Sequence, residues 1–338
     1  MTFRLLFVAI CVAFLNGIAH AEPQAEVRTL RLHIDELAGL IDARYLDPAM
    51  GRRYAQALRD NASKGAYDRL FSKADLAARL TADLQAIHPD IHLQVLPFDG
   101  SIPPPEAAAP ANAPPPDPIE RADWAAPGIA DISFLSLGVG DAATQPVDSF
   151  MKEHKGARAL IIDLRRCRGG TPIVFEDLAS YFVAVPSHSI TMDMRFDAAT
   201  PQFQQIMGAS SSIRHVDAES GIVRTEEWIQ PRAATEHWPR TPVYILTSHQ
   251  TVSAAEHMAF AFRLLKLATI VGETTAGGGH FGGIIPFAGG QMSVFVPWGR
   301  AYDPATGKDW EGTGVVPDIS VPADEALARA IQFVNNGH

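Results

Sequence analysis

The run from Thr251 to Glu256 holds a serine where a nucleophile could stand. Ser253 follows a buried-strand pattern, Pro242 to Thr247, and a polar turn of Ser248, His249, Gln250 and Thr251. It opens an amphipathic helical pattern that continues to Leu267. Active sites of α/β sheets lie beyond the carboxyl ends of strands. A helix N-terminus also presents unbonded N–H groups and the positive end of a dipole. A serine there can attack a carbonyl while a neighbouring N–H steadies the oxyanion. The same residues carry a second meaning. Ser253 and Glu256 have the spacing of a capping box, in which serine caps the helix and glutamate reaches back. On local sequence alone the cap is the stronger reading.

Other residues bear on the choice. Ile161 to Gly170 is an apolar strand pattern running into the pair Gly169-Gly170, and glycine lets backbone N–H groups approach a ligand closely. Val271 to Gly283 leads into a glycine-dense loop holding Gly278, Gly279 and His280, without the lysine and hydroxyl ending of a phosphate loop. His92 is a candidate base, because a neutral imidazole accepts a proton near neutral pH. His88 and His92 are four apart, a metal-ligand spacing. Pro89 between them argues against a helix presenting both on one face, and no third ligand is evident, so no metal is expected. Cys167 lies between Arg166 and Arg168, whose charge would lower a thiol pKa; the commoner fate of such a cysteine is packing.

These residues need elements to hold them. Residues 28–87 have apolar positions near helical spacing, such as Leu37, Ile41, Leu76, Leu80 and Leu84, and predict a small helical domain. Residues 97–118 contain nine prolines in 22 positions, which favours an extended linker or exposed loop over a packed element. From Gly128 onward strands alternate with helices. Strands are predicted over 129–135, 157–164, 242–247, 269–271 and 291–296. Helices are predicted over 172–183, 253–267 and 323–334. Such alternation argues for an α/β layer architecture.

The segments PVYILTSHQTVSAAE, VGETTAGGGH, IIDLRRCRGG and EGTGVVPDISV, in their order along the chain, resemble the C-terminal processing (tail-specific) serine peptidases. The likeness is strongest to the branch of tricorn protease cores and interphotoreceptor retinoid-binding protein repeats, and extends to the N-terminal segment around Tyr45 to Val95. The resemblance implies a crotonase-like (ClpP-like) α/β catalytic domain, residues 128–338, after a helical domain, 22–96, and a Pro-rich linker or loop, 97–127. It implies Ser253 as nucleophile, and an oxyanion hole from the N–H of Ala254 and the pair Gly169-Gly170. Gly278, Gly279 and His280 are expected to line the substrate cleft. The tail-specific branch uses a lysine where this chain has Gly278, and Lys266 and Lys308 do not match it. The tricorn-like branch takes a histidine where this chain has His92. Glu311 matches the acidic residue that orients this base. The serine intermediary of that relay is Ile91 here, so Glu311 reaches His92 directly or through water. Cys167 stands where the family usually has asparagine.

Bulk properties fit an exported hydrolase. Arg4, the apolar run Leu5 to Leu15 and the site Ala19-His20-Ala21 read as a signal peptide over 1–21. That run is shorter than the roughly 20 residues a bilayer span needs. The chain is therefore expected in the periplasm or secreted, with no stable membrane insertion after cleavage. Cys11 falls in the signal, so Cys167 is alone in the mature chain and no internal disulfide forms. A net charge of -10 without a basic run excludes nucleic acid as a partner. The expected partner is a peptide or unfolded protein, and no cofactor is expected. Two rivals remain: a non-catalytic carrier of apolar ligands on the same scaffold, and an esterase or amidase. No Gly-x-Ser-x-Gly elbow surrounds Ser253, which argues against an α/β-hydrolase.

Overall fold

The computed structural model describes residues 21–70, 72–97, 117–138, 141–195, 212–233, 235–238 and 240–337. The export signal expected over residues 1–21, up to residue 20, and most of the Pro-rich stretch lie outside the described residues. The chain divides into two compact units: residues 1–88, 93–101 and 284–296, and residues 89–92, 102–283 and 297–338.

In the first unit three helices are built on the apolar spacing read above: α1 (Ala21–Arg44), α2 (Pro48–Ser63) and α3 (Lys73–Gln85). Asp47 caps α2 by accepting from the N–H groups of Ala49 and Met50, with Pro48 at the first helical position. Ser72 caps α3 through the N–H of Asp75. Ile34, Leu37, Ile41, Tyr54, Leu58, Tyr67, Leu80 and Leu84 are fully buried in one cluster. Strand β1 (Gln94–Pro97) pairs antiparallel with Met292 to Phe295 in this unit.

The second unit holds the α/β layers. Its main sheet comprises β2 (Ile119–Ala126), β3 (Ile129–Phe134), β4 (Ala159–Asp163), β8 (Val243–Thr247), β9 (Ala268–Gly272) and β12 (Ile319–Ser320). The order is β12-β9-β8-β4-β3-β2, all parallel except β2, which runs antiparallel to β3. Side chains alternate across a strand, and both faces here are covered. Ile132, Ile162, Ile245 and Ile270 pack with α4 (Asp141–Glu153), α5 (Ile173–Ser180) and α6 (Ala254–Leu264). Ile129, Ile161, Leu246 and Val271 pack with α7 (Ala326–Asn335). This is why β4 and β8 read as unbroken apolar runs.

A second group of strands was not legible as strands in the sequence: β5 (Ser187–Arg195), β6 (Ile213–Val216) and β7 (Ile222–Ile229). They pair antiparallel, with β5 also paired to Gly299 to Tyr302. That segment belongs to β11 (Met292–Tyr302), which runs well past the end predicted at residue 296, and β10 (His280–Phe287) precedes it. The last part of the stretch read as linker is also ordered structure, since residues 119–126 form β2 and bond along β3. Among the described residues no helix is long and apolar enough to cross a membrane.

Candidate active site

Apart from His88, every residue singled out for chemistry belongs to the second unit. Strand β8 ends at Thr247, and the turn after it is fastened to the end of β4. Thr251 Oγ1 donates to the carbonyl of Leu164 at 2.8 Å, Ser248 Oγ donates to that of Arg165 at 2.6 Å, and the N–H of Val252 donates to that of Cys167. The turn delivers Ser253 with φ 60° and ψ -124°. A serine that merely caps a helix takes β-region angles. A non-glycine residue with this backbone is held there at a cost of about 1–3 kcal/mol, supported by surrounding structure.

The paired glycines are needed for close approach. A Cβ on Gly169 would stand 2.8 Å from Ser253 Cβ and 3.2 Å from the nitrogen of Ala254. A Cβ on Gly170, whose φ is 135°, would strike the Leu137 carbonyl at 1.8 Å. Leu137 braces the pair, donating to the Gly169 carbonyl at 2.7 Å and accepting from Thr171 at 2.9 Å. The Gly169 N–H faces the Cys167 sulfur. Among the described residues no acceptor takes the N–H of Gly170 or of Ala254. Cys167 itself is fully buried, and burial pushes its thiol up to about 12, so it is a packed residue and not the reactive one its arginine neighbours suggested.

Glu256 does far more than close a helix cap. Its buried carboxylate accepts four hydrogen bonds. Oε2 takes the N–H of Ser253 at 2.9 Å and of Gly278 at 2.8 Å. Oε1 takes the Thr275 hydroxyl at 2.5 Å and the N–H of Gly277 at 2.7 Å. One side chain thus fixes the serine's backbone and the glycine-rich loop together. The capping box read from the sequence is present in both halves, with the Glu256 side chain accepting the Ser253 N–H and the Ser253 side chain facing the N–H of Glu256.

The histidine side is built against the same loop. A Cβ on Gly278 would lie 2.6 Å from His92 Cε1 and 2.9 Å from Ile91 Cδ1. No side chain fits at 278 while His92 holds this place. A side chain at 278 and the His92 ring in this place therefore exclude one another sterically. Asp90, which the motif reading did not single out, turns the segment. Its Oδ1 accepts the His92 N–H at 3.0 Å and its Oδ2 meets His280 Nδ1 at 2.8 Å. Glu311 Oε2 accepts the N–H groups of Gly279 at 2.7 Å and His280 at 2.8 Å, and lies 3.7 Å from His280 Nδ1.

Charge follows from this packing. Burial lowers the His92 pKa, Asp90 raises it and His280 lowers it, with the net direction down. That direction favours the neutral form of the His92 imidazole. Burial alone would lower His280, but its bond to Asp90 and the charges of Asp90, Glu311 and Asp309 outweigh that and raise it. Burial pushes Glu311 up to about 7; His280 pulls it down and Asp90 pushes it further up. His88 belongs to the first unit, and among the described residues the group with ligand atoms within 4.8 Å of one another is Asp90, His92 and Glu311.

Comparison with known proteins bears on the whole arrangement. Residues 129–321 match peptidase family S41, and residues 25–124 match the N-terminal domain of peptidase S41 in eukaryotic IRBP. Tricorn protease homolog 2 of Streptomyces coelicolor is 34% identical over 108 residues, 30% of this chain and 9% of that protein. The chain thus matches under a tenth of that relative's length. The crystal structure of the tricorn protease superposes with a TM-score of 0.54 at 13% identity, over 92% of this chain and 37% of that one. A lipoprotein from Streptococcus agalactiae superposes with a TM-score of 0.53 at 15% identity, over the whole of both chains.

Proposed function

Because this chain belongs to peptidase family S41, we propose that it hydrolyses peptide bonds through an acyl-enzyme on Ser253, in a catalytic unit with the crotonase-like (ClpP-like) fold. Ser253 Oγ attacks the substrate carbonyl as His92 takes its proton. The N–H groups of Ala254 and Gly170 receive the oxyanion, with Gly169 making the room that lets them converge. His92 then returns the proton to the leaving amine, and a water repeats the sequence to release the acyl group. Asp90 and Glu311 supply the negative charge that favours the imidazolium, and His280 is the positive partner that keeps both carboxylates in place. Gly278 and Gly279 form the adjoining wall of the cleft. The substrate is a peptide or unfolded protein chain.

The observation that carries this reading is the backbone of Ser253. A left-handed serine at a strand-to-helix turn, pressed against a glycine and tethered by a buried glutamate, has a geometry a helix cap does not require. The test is active-site labelling with a fluorophosphonate and hydrolysis of a peptide mixture. The parent chain should be labelled at Ser253, and Ser253→Ala should lose both labelling and at least about 1,000-fold of the hydrolysis rate. Equal cleavage by the two proteins ends the proposal. Export to the periplasm or beyond belongs to the same reading. It rests on the sequence of residues 1–21, and cell fractionation checks it.

A further inference from the structure

The cluster of Asp90, His92 and Glu311 has a property the hydrolytic reading does not use. One nitrogen and two carboxylate oxygens converge, all within 4.8 Å of one another. Ligand atoms around one tetrahedral Zn²⁺ sit about 2.0–2.2 Å from the ion and so about 3.4 Å apart, so the three atoms, now within 4.8 Å of one another, would draw in on binding. Both carboxylates are already fixed from behind. Asp90 holds the His92 N–H and His280 Nδ1, and Glu311 Oε2 holds the N–H groups of Gly279 and His280. Hydrogen bonds of this kind behind the ligands orient metal sites.

A second observation points to a ligand. The Glu311 side chain is only 10% exposed, yet its other oxygen, Oε1, is buried and accepts no hydrogen bond. A buried carboxylate oxygen left without a donor is costly, and a cation answers it. Asp90 and Glu311 both lie beside His280 Nδ1, at 2.8 Å and 3.7 Å, so two carboxylates share this imidazole. One imidazole nitrogen with two carboxylate oxygens suits a divalent transition metal more than calcium or magnesium, which prefer all-oxygen shells.

We propose that Asp90, His92 and Glu311 form a binding site for a divalent transition-metal ion, and that filling it switches the peptidase off by occupying the lone pair of His92. The site stands on its own geometry; the inhibition rests on the peptidase reading.

The experiment titrates Zn²⁺ into the metal-free full chain by calorimetry. It is repeated with His92→Ala, Glu311→Gln and, as a control at an exposed histidine–glutamate pair, His249→Ala. One Zn²⁺ should bind per chain. Affinity should fall about 100-fold or more in the two ligand variants and stay unchanged in His249→Ala. Zn²⁺ should also raise the melting temperature of the parent, a reading that needs no variant to fold. Zinc-saturated parent should label with a fluorophosphonate at least about tenfold more slowly than metal-free parent, with the rate restored by a chelator. Absence of binding, binding that survives in both ligand variants, or binding lost in His249→Ala overturns the site. Labelling that is equally fast with and without bound zinc overturns the ligation of His92. Zinc binding with the stated variant pattern in a protein that never labels supports the site and counts against the peptidase reading alone.

Discussion

At the scale of single residues, Gly278 makes the room in which His92, the proposed base, is held. The left-handed conformation that glycine often serves is not the reason; the reason is the His92 ring, which a Cβ at 278 would meet at 2.6 Å. Gly278→Ala should therefore displace the imidazole without straining the backbone. Overpacking of this kind costs about 1–3 kcal/mol. We expect the melting temperature to fall by only a few degrees while fluorophosphonate labelling of Ser253 slows about 100-fold. Labelling at the parent rate would show that His92 does not take part. Ser253 itself was legible as a helix opener with a glutamate three residues on. Its left-handed backbone was not, because that angle is imposed by Gly169 and by bonds from the end of β4, far away in sequence. Asp90 was equally hidden. An aspartate two residues before a histidine looks like ordinary turn chemistry, and only the fold brings His280 to its other oxygen.

At the scale of elements, the strands that were legible are those whose environment matches their composition. β4 and β8 are buried on both faces and apolar up to their last residues, Asp163 and Thr247. β5 is largely buried and β7 is buried at alternate positions near its end, but they carry Ser189, Thr191, Asp193, Thr225 and Glu227 inward, and those polar positions erase the apolar alternation. Some find partners across strands or on a helix, as Glu227 does with Ser189 and His257 and Asp193 with Arg224, which sequence spacing cannot reveal. Glu256 shows the same limit within one element. The capping-box spacing accounts for its bond to Ser253, whereas the bonds to Thr275, Gly277 and Gly278 join α6 to the loop after β9. A glutamine at 256 offers one acceptor oxygen in place of two. At least two buried donors then lose their acceptor, at about 1–3 kcal/mol each. Glu256→Gln should lower stability by about 2–6 kcal/mol in urea unfolding and slow labelling of Ser253 at temperatures where the variant is folded. A variant as stable as the parent would mean the four bonds are not holding helix and loop together.

At the scale of the whole molecule, buried carboxylates set the direction in which stability depends on pH. Burial is the largest cause for Asp131, Asp177, Glu256 and Glu311, and all four are raised, Asp177 to about 6 and Glu311 to about 7. A carboxyl whose folded pKa lies above its unfolded value binds its proton more tightly when folded. The stability it contributes is complete below the unfolded value and is lost as pH rises through the folded one. His92 and His280 shift in opposite directions. With a net charge of -10 the chain also repels itself more as further carboxyls ionise. This protein should accordingly be more stable slightly below neutral pH than above it. Glu311 isolates the effect. Its rise from 4.5 to about 7 corresponds to about 3 kcal/mol for holding the ionised form in place. Glutamine keeps an oxygen for the N–H groups of Gly279 and His280 and carries no charge. Glu311→Gln should gain up to about 3 kcal/mol over the parent at pH 8 and nothing at pH 4, read from urea midpoints at the two values, while peptide hydrolysis falls. A stability change of the same size and sign at both pH values would mean that the charge of Glu311 is not what strains the site.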